Sequence, residues 1–136
     1  MIMKKPVVSI LMTIYNHENY LRASIKSIIN QSYKKWELVA IDNGSRDKSK
    51  VILKKFKDKR IKKRFLKKNI GRTNCLNYGL NLCKGKYIAV LDSDDIAKKN
   101  RLDIQTKLLE KEPNTWMVAS NYNLINTEKK FIKSVN

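Results

Sequence analysis

Short apolar runs alternate along this chain with stretches whose apolar residues recur every three or four positions, the first pattern marking buried strands and the second amphipathic helices. Residues 7–15 form an apolar run of strand length that follows Pro6 and closes on polar Thr13, Tyr15 and Asn16. Leu21, Ile25, Ile28 and Ile29 then fall at helical spacing, with Glu18 or Asn19 near the helix start. A second strand over residues 36–41 ends in Asp42-Asn43-Gly44-Ser45-Arg46-Asp47, where Gly44 permits a tight turn and Ser45 or Asp47 can cap a helix over residues 48–57. Residues 64–66 predict a short third strand. Asn69-Ile70-Gly71 turns the chain into a helix expected to bury Leu76, Leu80 and Cys83 on one face, ended by Lys84-Gly85-Lys86. Residues 87–91 are a further strand, followed by a helix over about 100–111 whose apolar face carries Leu102, Leu108 and Leu109. Pro113 stops that helix, and residues 116–120 give the last strand signal.

Strands and helices alternating at this spacing predict an α/β fold with a parallel sheet and right-handed crossovers. Ligands of such sheets sit beyond the carboxyl ends of the strands, where Thr13 and Asn16, Asp42 and Ser45, and Asp92-Ser93-Asp94-Asp95 all fall. The last group places three carboxylates within four positions, and crowded like charges raise one another's pKa unless something positive offsets them. Asp92 and Asp94 can converge on one divalent cation, whereas Ser93, Asp94 or Asp95 can equally start the helix that follows. Three strand ends finishing in polar or acidic residues favour a ligand site over three separate caps.

Composition narrows the classes. The chain has 136 residues, a length that suits one domain, and 42% of them are hydrophobic, enough for a core. No apolar run approaches the ~18 residues of a membrane span, and residues 1–5 lead into a patterned strand rather than a secretory signal. Cys75 and Cys83 lack the spacing of a zinc site and read as reduced core thiols of a cytosolic protein. Trp36 and Trp116 read as packing residues. The net charge of +18 concentrates in residues 54–68, which read as a solvated face, as a peripheral contact with an anionic membrane, or as a nucleic-acid patch. Phe56 and Phe65 are the aromatic residues within that run.

Neither G-x-G-x-x-G nor G-x-x-x-x-G-K-[ST] follows the first strand, which argues against a nicotinamide enzyme or a P-loop ATPase. Phosphate charge would instead be met by a metal on carboxylates, with Arg72 or a lysine assisting. Asp42 or Asn43 offers an acceptor to a base imino N–H, and Tyr15 offers a ring face for stacking. These groups suit a nucleoside diphosphate. His17, the one histidine, reads as a loop residue because nothing acidic nearby would orient it as a base. Glu110, Glu112 and Glu128 read as solvent-exposed charge.

Residues 8–16, 41–47, 69–71 with Asn77-Tyr78-Gly79-Leu80, and 85–95 resemble, in order and spacing, the successive signatures of family 2 glycosyltransferases, over about residues 6–120. The resemblance implies a Rossmann-like GT-A fold, a mostly parallel central sheet flanked by helices. The chain is expected to stop after the donor-binding half, with residues 121–136 a polar tail or the start of an acceptor half. It implies a nucleotide-sugar site, usually for a UDP-sugar, built from Thr13, Tyr15, Asn16, Asp42, Asn43, Arg72, Asp92, Ser93 and Asp94. Asp92-Ser93-Asp94 would be the D-x-D motif, with Asp92 near the ribose or the metal's water shell and Asp94 on Mn2+ or Mg2+. The implied reaction moves the sugar to an acceptor hydroxyl, of a glycan or a lipid-linked acceptor, in glycan or cell-surface polysaccharide biosynthesis. The expected setting is cytoplasmic, with residues 54–68 available to an anionic inner membrane face, and a shortened domain leaves apolar surface for a partner or a second copy. No specific nucleic acid is expected.

Two departures matter. Asn43 stands where many members carry a second acid, which leaves an acceptor but opens base selectivity. No acidic motif after Asp95 matches the family's catalytic base, so no base is assigned. A non-catalytic nucleotide-sugar-binding module is the alternative reading, and a charge-driven nucleic-acid or membrane-binding protein the third.

Overall fold

The computed structural model describes residues 5–135. The first four of residues 1–5, which lead into the first expected strand, therefore lie outside the described residues, as does Asn136. Four strands, β1 (Val8–Ile14), β2 (Trp36–Asp42), β3 (Ile61–Phe65) and β4 (Tyr87–Val90), form one parallel sheet in the order β3-β2-β1-β4. Helices α1 (Leu21–Ile29), α2 (Ser49–Lys55) and α3 (Arg72–Leu80) connect them, and α4 (Arg101–Lys111) follows β4. The chain steps outward from β1 to β3, then returns to pair β4 with the other side of β1. That reversal opens a crevice between the carboxyl ends of β1 and β4, the usual ligand position in an open α/β sheet.

Alternation within the central strands divides the core. Val8, Ile10, Met12 and Ile14 of β1, with Trp36, Leu38 and Ala40 of β2, pack on Leu21, Ile25 and Ile28 of α1 and Leu53 of α2. Leu11, Val39 and Ile41 face the other way, onto Cys75 of α3. Each strand buries both faces, so β1 and β2 read as unbroken apolar runs rather than as alternating ones. Ser9 and Glu37 are buried polar members of the α3-side face. The Ser9 hydroxyl donates to Glu37 Oε1 at 2.7 Å, while the Lys84 and Gly85 N–H groups donate to Glu37 Oε1 and Ser9 Oγ respectively, each at 2.8 Å. This closed set pins the turn that delivers β4 to the sheet.

Several expectations are revised. The third strand starts at Ile61, three positions earlier than its apolar end suggests, because β2 pairs with it along Leu38–Asp42 whatever the solvent-facing lysines between. The face of α3 that is buried carries Cys75 and Gly79, while Leu80 is exposed and Cys83 lies beyond the helix. Gly79 allows this contact: an added Cβ would lie 2.4 Å from Leu11 Cδ1 and 2.6 Å from Ile41 Cδ1. On α4, Leu102 is buried but Leu108 is exposed. Residues 116–120 are not a strand, and Trp116 is 98% exposed, so it is not a packing residue among the described residues. The expected polar tail contains an antiparallel hairpin, β5 (Tyr122–Ile125) with β6 (Phe131–Val135). Asn126 builds its turn by accepting the N–H groups of Glu128 and Lys130 on Oδ1.

The described chain groups into two compact units, one up to Ile104 and one from Gln105 onward that holds most of α4 and the hairpin. Both cysteines are free. No helix among the described residues is long and apolar enough to cross a membrane.

Candidate functional site

The crevice beyond β1 and β4 is a cleft of about 390 Å3. Thr13, Ile14, Tyr15 and His17 line it from the β1 exit, Asn43 from the β2 exit, Asn69, Gly71 and Arg72 from the α3 entry, and Asp92, Ser93 and Asp94 from the β4 exit. Seven of the nine residues expected at the site from sequence, Ser93 among them, thus share one cleft. Asp42 and Asn16 do not line it.

Asp42 is buried at the end of β2. Its Oδ1 accepts the Ser45 N–H at 3.1 Å, and its Oδ2 has no partner. Asn43 spends its amide on the neighbouring turn: Oδ1 accepts the Ile70 N–H at 3.0 Å, and Nδ2 donates to Asn69 Oδ1 at 3.1 Å. Asn43 thereby sets the wall formed by Asn69 and Gly71. Gly44, at φ 75°, lets this strand exit pass close to the backbone of Lys68, where a Cβ would meet the Lys68 carbonyl carbon at 2.5 Å.

Asn16 adopts φ 56°, a conformation asparagine tolerates better than most side chains. Its N–H donates to Ser45 Oγ and its Oδ1 accepts the Arg46 N–H, so the first two strand exits are tied reciprocally. Glu18 and Asp47 repeat the arrangement. The Glu18 N–H donates to Asp47 Oδ2 and the Lys48 N–H to Glu18 Oε2. Glu18 therefore serves this cross-link rather than α1, whose N-cap residue is Tyr20. Asp47 Oδ1 accepts the Ser49 N–H at the start of α2, while Ser45 binds Asn16 instead of capping that helix.

On the opposite wall, Arg72 Nη2 lies 2.7 Å from Asp92 Oδ1, and this hydrogen bond first, then the charges of Asp92 and Asp94, hold the guanidinium pKa above its ordinary value. Burial, then the charges of Asp94 and Asp92, push the Asp95 carboxyl up, which is the mutual repulsion expected of this turn. Ser93 is buried, and its Oγ lies 2.6 Å from His17 Nδ1. Burial first, and then the charge of Asp42, raise the Cys75 thiol to about 11, so it is a packing group rather than a nucleophile.

Sequence reasoning left out His17, Ile14 and, as individual site residues, Asn69 and Gly71. The last two sit in a turn that the motif already marks. His17 follows the polar exit of β1 directly, and that adjacency was the available signal.

The family model for glycosyl transferase family 2 matches residues 9–134. An uncharacterized glycosyltransferase of Haemophilus influenzae is 40% identical over 98% of this chain and 54% of its own length. WfgD of Escherichia coli, a UDP-Glc:alpha-D-GlcNAc-diphosphoundecaprenol beta-1,3-glucosyltransferase, is 38% identical over 88% of this chain and 47% of its own. The chain thus spans about half the length of these curated relatives. Among solved structures, residues 1–349 of S. aureus TarS in complex with UDP match at a TM-score of 0.72 and 27% identity, over 76% of this chain and 32% of that one. That likeness bears out the GT-A fold expected from the motifs.

Proposed function

Because the chain belongs to glycosyl transferase family 2, we propose that its cleft is a donor site for a UDP-sugar whose sugar passes to the hydroxyl of a glycan or lipid-linked acceptor. The observation that carries this reading is the meeting of a stacking ring, amides and hydroxyls, a guanidinium and two carboxylates in one cleft at the sheet's switch point. TarS, solved with UDP, and WfgD, named for UDP-Glc and a diphosphoundecaprenol-linked acceptor, support uracil as the base and a lipid-linked acceptor as the partner.

Within this reading Tyr15 offers its ring to the base and Thr13 its hydroxyl to the nucleoside, while Asn43, its amide bonded to Asn69 and Ile70, shapes the wall beside them and the buried Asp42 holds the β2 exit through the Ser45 N–H. Arg72 can turn from Asp92 to the diphosphate, where its planar fork matches phosphate oxygens. Asp92 and Asp94 supply hard oxygen donors, and among the described residues no group of three or more His, Cys, Asp or Glu side chains surrounds one point. Two carboxylates without a full protein cage fit Mn2+ or Mg2+, which keep water and phosphate oxygens in their shells. When bound, such a cation supplies Lewis-acid stabilisation of the leaving diphosphate. The chain's own residues bind the nucleoside, orient the diphosphate and balance its charge.

Calorimetric titration of UDP with and without Mn2+, on the wild type and on Asp94→Asn, tests the reading. Metal-dependent binding that weakens at least about tenfold in the variant is the expected result. Binding of GDP, CDP or dTDP but not UDP would overturn the choice of base, and no nucleotide binding at all would overturn the donor site. Among the described residues the carboxylates of the cleft are those of Asp92 and Asp94 alone, which favours as a second reading a module that binds the donor without transferring it. Metal-dependent UDP binding without turnover of any UDP-sugar would select that reading.

A further inference from the structure

His17 links the β1 exit to both neighbouring loops. Its backbone N–H donates to Ser49 Oγ at 2.9 Å, its Nδ1 lies 2.6 Å from Ser93 Oγ, and its carbonyl accepts the N–H groups of Tyr20 and Leu21. Ser49 and Ser93 are 0% and 1% exposed, so each hydroxyl needs a partner inside the protein. The ring is also set by Tyr20, edge to face, with centroids 6.3 Å apart and planes at 89°. A surface histidine has none of these constraints.

Ser93 is the middle residue of a turn whose flanking carboxylates repel each other and line the cleft. Besides His17, that turn is held by the Asp95 N–H on the Asp92 carbonyl at 3.1 Å and by the Ser24 hydroxyl on the same carbonyl at 3.3 Å. Both of these restrain backbone at Asp92, and Arg72 Nη2, 2.7 Å from Asp92 Oδ1, holds one carboxylate from the α3 side. The bond to His17 is the one that fixes the central side chain, from which the carboxylates of Asp92 and Asp94 diverge on either side.

The geometry points to His17 as a positioning residue for the Asp92-Ser93-Asp94 turn: by holding the buried Ser93 hydroxyl it keeps the two carboxylates on the cleft wall. The backbone bond to Ser49 ties the same residue to the start of α2, the helix that follows the Asn43 turn, so His17 is a fixed point shared by the Asp92-Ser93-Asp94 turn and the β2–α2 connection. The functional consequence rests on the donor-site reading above, whereas the positioning itself does not.

The test compares wild type, His17→Ala and His17→Asn, the last placing an amide near the position of Nδ1. Three quantities are read: affinity for UDP with Mn2+, affinity for uridine by NMR titration, and hydrogen exchange at the amides of residues 92–95 with no nucleotide present. His17→Ala is expected to speed exchange at residues 92–95 and to weaken metal-dependent UDP binding about 10- to 100-fold, the range seen when a group orienting a metal ligand is lost. Uridine affinity should hold, and His17→Asn should recover most of the loss. Unchanged exchange and UDP affinity in His17→Ala would overturn the proposal. An equal loss of uridine binding, or no recovery in His17→Asn, would reduce the residue to general loop support and overturn it as well. If the wild type fails to bind UDP, the donor-site reading fails, and the exchange data with the Asn rescue still decide the positioning.

Discussion

Asp58 is the one acid among eleven basic residues in 50–68, and its carboxylate accepts both the Arg60 N–H at 2.9 Å and the Arg60 guanidinium at 2.6 Å. The guanidinium in turn lies 3.7 Å from the centroid of the buried Trp36 ring. The hydrogen bond from Arg60 holds the Asp58 carboxyl below its ordinary value of 3.8. A lowered folded pKa contributes stability that is complete above the unfolded value and is lost as pH falls through the folded one. Asp58→Asn is therefore expected to cost roughly 0.2 to 1 kcal/mol at pH 7, with wild type and variant converging as acid carries the pH through the lowered value of the folded carboxyl, as urea denaturation at several pH values would check. A constant difference across that range would show that the charge contributes nothing. At this scale the strand-end residues were legible: Thr13, Tyr15, Asn43, Asp92 and Asp94 are polar groups at the ends of apolar runs, and the parallel sheet gathers such ends. His17 was not legible in the same way. Its partner is a serine 76 positions later, and a search for an acidic orienter in the nearby sequence passes over it.

At the scale of elements, β1 and β2 were readable almost to the residue because both faces of each strand are buried, and an unbroken apolar run admits few other readings. Helix α3 was not. Apolar periodicity selects Leu76, Leu80 and Cys83, yet its contact with the sheet is decided by how closely the backbone can approach Leu11 and Ile41, a property of Gly79 that hydrophobicity does not register. The hairpin was missed because β5 and β6 are largely exposed, so their residues carry no burial pattern. Gly79 and Gly85 differ in what surrounds them. At Gly79 an added methyl meets the tips of two side chains, which can shift, and alanine also favours the helix. At Gly85 it meets the Ser9 nitrogen at 2.5 Å and the Val8 carbonyl carbon at 2.8 Å, backbone that is fixed in the sheet. Gly79→Ala should cost about 1 kcal/mol after the propensity gain, and Gly85→Ala about 3 kcal/mol or more, read from denaturant midpoints. Equal costs would mean that the β4 turn yields as easily as a side chain.

For the whole molecule, net charge and its placement separate two roles that lysines play. Strand β3 is one of the two edges of the sheet, and Lys62, Lys63 and Arg64 along it discourage pairing with another chain. Lys63 also donates to the Lys54 and Phe56 carbonyls at the end of α2, and Lys50 and Lys54 lie 5.7 and 5.6 Å from the Phe65 ring centroid, so part of the charge is engaged locally. Edge protection needs only a few charges. Lys55, Lys57, Lys67 and Lys68 are exposed and lie outside that strand, and the last two lead directly into Asn69 at the cleft. A lipid-linked acceptor would reach the cleft from a membrane surface, and each lysine close to an anionic leaflet contributes about 1 kcal/mol of attraction. The protein should therefore sediment with vesicles of phosphatidylglycerol and phosphatidylcholine at low salt, remain free of pure phosphatidylcholine, and be released as the Debye length falls to about 3 Å near 1 M salt. Combining Lys55→Glu, Lys57→Glu and Lys67→Glu reverses charge without touching the cleft-lining residues, so it should abolish sedimentation while leaving UDP affinity unchanged. Binding to neutral vesicles as well, or sedimentation unaffected by the triple change, would assign the surplus charge to solvation alone.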